Sequence, residues 1–132
     1  MTARIKLDAS LMSVDDLARI PDLTAEVCAA GFDGLWASEV NHDPFIQLGL
    51  AATRSGDLEV GTAIALSFTR SPMALAYSAW DLAALTGGRF ILGLGTQVRA
   101  HNERRFSVPW SAPIPRLREV VESLRAIWHS WR

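Results

Sequence analysis

Gly87-Gly-Arg-Phe-Ile-Leu-Gly-Leu-Gly-Thr-Gln-Val-Arg-Ala-His-Asn-Glu-Arg-Arg-Phe106 joins an apolar run to a segment dense in polar groups. Phe90 to Leu94 is the pattern of a strand covered on both faces, and Gly93 and Gly95 thin it where something must approach the backbone closely. Two readings fit the pair: easier packing in a parallel sheet, or a ligand against the strand end.

Outward from this stretch, strands and helices alternate. On the N-terminal side, Ser71-Pro72 opens a helix through Met73, Leu75, Trp80 and Leu85, closed by Gly87-Gly88. Before it lies a mostly apolar strand, Leu58 to Leu66, and before that a helix from Phe45 to Thr53, opened by Asn41-His-Asp-Pro44 with Asn41 as a possible cap. Gly34 to Ser38 is a second strand, and Ile5 to Leu11 a first. The helix between these two carries Leu17, Ile20, Leu23, Val27 and Ala30 at three- and four-residue steps, with a break implied at Pro21 and a stop at Gly31. On the C-terminal side, His101 to Arg105 reads as a mixed-charge loop, followed by an amphipathic helix over 114–131.

Four strand–helix units imply a parallel α/β sheet with right-handed crossovers, either open and doubly wound or part of a (β/α)8 barrel. A barrel usually takes about 250 residues, so the four units in 132 residues equal half of one, which would make the chain a single partial domain over residues 1–132 if the sheet is a barrel's.

Composition narrows the partners. Thirteen Lys and Arg against fourteen Asp and Glu leave a net charge of −1, which is no electrostatic footprint for nucleic acid or an anionic membrane. No window reaches the roughly 18 apolar residues of a membrane span, and the N-terminus lacks a signal-type apolar region. The single Cys28 has no intrachain partner, so the expectation is a cytoplasmic protein acting on a small molecule. Phosphate-loop, zinc-protease and nucleophile-elbow motifs are absent, and Gly93-x-Gly95 lacks the third glycine and acidic partner of a dinucleotide fingerprint. His42, His101 and His129 are too scattered to make a metal site.

Gly31-Phe-Asp-Gly-Leu-Trp-Ala-Ser-Glu39, Gly61-Thr-Ala-Ile64, Thr69-Arg-Ser-Pro72 and Gly87 to Thr96 together resemble, in order and spacing, the N-terminal half of the luciferase-like monooxygenase superfamily. Glu39 to Pro44 and Ala100 to Phe106 look most like the branch that uses the deazaflavin coenzyme F420; other members use FMN. The resemblance implies a barrel that binds a flavin-like ring at the C-terminal ends of its strands. It implies a non-prolyl cis peptide at Ala63-Ile64 backing that ring, and contacts from Thr96 and Gln97 to the ring or its side chain. Glu39 or His42 would move a proton on the substrate heteroatom during hydride transfer, a task suited to imidazole. Asp8, His101 and Asn102 are candidates to meet the substrate. Members acting on sugar phosphates and simple alcohols place a catalytic histidine directly after an acidic residue; here that position is Val40, a departure from them. A half-barrel also exposes two sheet edges, so a homo-oligomer is expected. An FMN-dependent luciferase-like monooxygenase is one alternative to the deazaflavin oxidoreductase, and inactive association of an incomplete barrel is the other.

Overall fold

The computed structural model describes residues 3–132. Its elements are β1 (Asp8–Ser10), α1 (Ile20–Ala29), β2 (Gly34–Ala37), α2 (Pro44–Ala52), β3 (Glu59–Thr62), β4 (Ala65–Leu66), α3 (Pro72–Leu85), β5 (Phe90–Ile91), β6 (Leu94–Gly95), α4 (Arg99–Phe106) and α5 (Pro113–Ser130). All strand pairs are parallel: β1-β2-β3-β5 form one sheet, and β4 pairs with β6 in a short second one.

Strand register sorts the side chains into rows. Ala9, Leu35, Val60 and Phe90 align across the first sheet. They belong to a core with Ile20, Leu48 and Ala51 from the helices. The next row, Ser10, Trp36, Gly61 and Ile91, alternates onto the opposite face. There Ile91 stays 43% exposed, as on a concave wall open to solvent. A second core joins α3 to α5 through Phe68, Leu75, Ala76, Val120 and Leu124.

The structure departs from the sequence reading in several places. The third and fourth strands are each split, β3 from β4 and β5 from β6, and the breaks face each other. Thr62 Oγ1 bridges them, donating to Gly93 O at 2.7 Å and accepting from Gly93 N at 2.9 Å. The first strand is shorter than Ile5 to Leu11, because pairing with β2 runs only from Asp8 to Ser10. Asp43, not Asn41, caps α2, its carboxylate accepting from Phe45 N at 2.8 Å, with Pro44 in the first turn.

The polar segment read as a loop is the helix α4. It is supported by an Arg99–Glu103 pair one turn apart, 3.0 Å, and by the buried Asn102, and it ends on Ser107 in the left-handed region, φ 54°. The break expected at Pro21 is a change from a short 3-10 turn, Leu17–Arg19, into α1.

Candidate functional site

The C-terminal ends of the strands bring three segments together: residues 38–43 after β2, the Ala63-Ile64 step between β3 and β4, and residues 96–98 after β6. The Ala63-Ile64 peptide is cis. Neighbouring strands hold it on every side. Ser38 Oγ donates to Ala63 O at 2.7 Å, Glu39 N to Ile64 O at 3.2 Å, Ala63 N to Ala37 O at 2.8 Å, and Ala65 N to Gly93 O at 2.9 Å. Both residues nevertheless remain open to solvent, Ile64 at 39%. The two glycines of β5-β6 make this possible. A side chain on Gly93 would strike the carbonyl of Thr62, and one on Gly95 would meet Ile64 Cδ1 at 2.5 Å. They serve packing and site together, because the close packing is what leaves Ile64 upright on the wall.

Glu39 is committed to a polar clamp. Its Oε2 accepts from Leu66 N at 2.7 Å and from Arg70 Nη1 at 2.8 Å. Arg70 Nη2 donates in turn to Asp43 Oδ2 at 3.0 Å, and the guanidinium lies 5.1 Å from the centre of the Phe45 ring. Burial works against the guanidinium charge, but hydrogen bonding and attraction from Glu39, then Asp43, outweigh it and raise the Arg70 pKa above its ordinary value. Arg70 therefore stays charged at any working pH. In the sequence Arg70 lies within the Thr69 to Pro72 segment, and its only signal there is its place just before a helix cap, Ser71, whose Oγ accepts from Ala74 N.

His42 is half-buried within the same loop. Among the described residues nothing hydrogen-bonds to its imidazole, which leaves both ring nitrogens available. Thr96 and Gln97 form the opposite side. Gln97 has φ 55°, an unusual conformation for a non-glycine residue, and its Oε1 accepts from Val98 N at 2.9 Å. Asn102 is 1% exposed. Its Nδ2 donates to Thr96 O at 2.9 Å and Val98 O at 3.1 Å, so it holds this turn from behind instead of facing an open site.

His101 is exposed on α4. From the same helix, Arg105 Nη2 donates to Val40 O at 2.7 Å and links α4 to the His42 loop. Asp8 does not reach this end at all. It begins β1, level with Gly34, and accepts from Trp36 Nε1 at 2.8 Å. That places it at the N-terminal end of the strands, away from the mouth expected of it, because the paired part of β1 starts rather than ends there.

A cavity of about 520 Å³ lies elsewhere: an apolar groove along the free edge of β5, between α3 and α5, with Trp80, Ile91, Leu94 and Trp128 among its walls.

A family model described as luciferase-like monooxygenase matches residues 1–132. The chain is 50% identical over 129 residues to an uncharacterized protein of Mycobacterium tuberculosis, a match covering 98% of this chain and 37% of that protein. It is 40% identical over 90 residues to a phthiodiolone/phenolphthiodiolone dimycocerosates ketoreductase of Mycobacterium sp. (strain JLS), covering 67% of this chain and 23% of the relative. The chain thus spans well under half the length of these curated relatives. Among solved structures, the FMN complex of the oxygenating constituent of 3,6-diketocamphane monooxygenase from Pseudomonas putida superimposes with a TM-score of 0.82 at 15% identity, over 96% of this chain and 40% of that one. The coenzyme F420 dependent tetrahydromethanopterin reductase from Methanopyrus kandleri does so with a TM-score of 0.73 at 25% identity, over 91% and 39%. No helix among the described residues is long and apolar enough to cross a membrane.

Proposed function

The chain belongs to the luciferase-like monooxygenase family, with the fold of the N-terminal part of its barrel, and from that premise we propose that it supplies one wall of a site for the deazaflavin coenzyme F420 in an oxidoreductase acting on a small organic substrate. The observation that carries this reading is the open Ala63-Ile64 step, flanked on one side by the His42 loop and on the other by Thr96 and Gln97. A flat, partly apolar ring fits against such a surface, because Ile64 presents hydrocarbon while both carbonyls of the step and the amides of Ala63 and Ala65 already have partners. Thr96 and Gln97 offer polar contacts beside it. The matches to a ketoreductase at 40% identity and to an F420-dependent reductase support the reductive reading.

When bound, the deazaflavin would exchange a hydride with the substrate carbon. The chain's own part is to bind, orient and move a proton. His42, with no hydrogen-bond partner on its imidazole among the described residues, is the group suited to give or take a proton at the substrate heteroatom. Glu39, whose carboxylate is engaged by Arg70 and Leu66 N, organises the loop. His101 stands on the exposed face of α4, where it would meet a substrate extending past Gln97.

FMN is the second reading, favoured by the FMN-bound structure with the higher TM-score. Fluorescence titration of the purified chain with F420 and, separately, with FMN tests the choice. Saturable F420 binding weakened by Ile64→Ala and Gln97→Ala is expected; FMN binding without F420 binding would replace the first reading by the second. Binding of neither would favour association of an incomplete barrel.

A further inference from the structure

We propose that Arg70 is the positioning residue of this site, its guanidinium fixing the loop that carries His42. The proposal rests on the role given to His42 above. The loop runs from Glu39 to Asp43, and Arg70 grips both its ends with the two arms of one fork: Nη1 to Glu39 Oε2 at 2.8 Å and Nη2 to Asp43 Oδ2 at 3.0 Å. Neither grip stands alone. Glu39 Oε2 is also tied to Leu66 N, and Asp43 Oδ1 to Phe45 N at the start of α2, so each carboxylate passes the constraint to backbone on either side of the loop.

Burial makes the clamp stiff. The Arg70 and Glu39 side chains are 19% and 11% exposed, which shields this arm from solvent far better than at surface pairs such as Arg54–Asp22 at 53% and 80%, while Asp43, at 39%, makes the softer arm. The Phe45 ring under the guanidinium limits its rotation. Above the clamp, Arg105 holds the loop at Val40 O. His42 lies inside this frame, with its backbone fixed at residues 39, 40 and 43 and its ring free.

A planar fork is needed to span two carboxylates at once; a lysine ammonium, a point charge on a flexible stem, reaches one of them well. The clamp therefore predicts a graded response. In the 13C- and 15N-labelled chain, with the histidine signals assigned through His42→Gln, His101→Gln and His129→Gln, Arg70→Met is expected to move and broaden the His42 ring signal. It should also speed hydrogen exchange at the Leu66 amide about tenfold or more, while His101 and His129 stay unchanged. Arg70→Lys is expected to fall between the wild type and Arg70→Met.

Faster Leu66 exchange with an unmoved His42 signal would make Arg70 a purely structural residue and overturn the proposal. If Arg70→Met does not fold, Glu39→Gln takes its place: a shifted His42 signal supports the clamp and an unmoved one overturns it. The readout uses no cofactor. Failure of the wild type to bind F420 would therefore count against the proposed function and leave the clamp standing, whereas an unmoved His42 would do the reverse.

Discussion

Gly93 faces the carbonyl of Thr62 so closely that no β-carbon fits between them, while at Gly95 the obstacle is the tip of the Ile64 side chain. The two glycines differ in what can give way. A backbone carbonyl tied into two hydrogen-bonded strands cannot move cheaply; a terminal methyl can. Gly93→Ala is accordingly expected to lower stability by about 1–3 kcal/mol, the usual range for overpacking, as read from the urea midpoint. Gly95→Ala meets Ile64 Cγ1 as well as Cδ1, so it should lower that midpoint by less than Gly93→Ala and also turn Ile64, seen as weaker cofactor binding. From the residues alone the pair signalled a close approach, but the partner was hidden: Thr62 is 31 residues away. Arg70 was hidden more completely, since an arginine ahead of a helix cap looks like any surface cation until Glu39 and Asp43, 31 and 27 residues away, close around it.

At the scale of elements, the strong periodic helices and the order of strands were legible, and the short polar helix α4 was not. Most of its residues are charged or polar, so no apolar stripe marks it, and the force that holds it is the buried Asn102 reaching back to Thr96 and Val98. Its end offers a direct check. Ser107 adopts φ 54°, where glycine fits without a steric cost, so Ser107→Gly should stabilise the chain by up to about 1 kcal/mol in thermal denaturation. The caps of α2 and α3 can be ranked in the same way. Asp43→Ala removes a cap and one arm of the Arg70 clamp together, whereas Ser71→Ala removes a cap alone. Losses of about 1–2 and about 1 kcal/mol are expected, in that order, from denaturant unfolding.

Over the whole molecule, an open curved sheet shows β1 and β5 as free edges and carries an apolar groove of about 520 Å³ beside β5. Free edges and exposed apolar walls favour association. The isolated chain is therefore expected to sediment as a dimer or larger species, its apparent mass falling on dilution; a monodisperse monomer across the whole concentration range would contradict this. What could be read from the residues in order was the alternation of strand and helix, the half-barrel count and the family's segments, because these depend on local periodicity, turn chemistry and spacing along one chain. Folding decided which of the candidates share a site. It joined Glu39 to Arg70, set Ser38 and Glu39 against the Ala63-Ile64 step, turned Asn102 inward and left Asp8 at the far end of the strands. Those outcomes depend on strand register and on contacts between residues dozens of positions apart, and no local pattern encodes them.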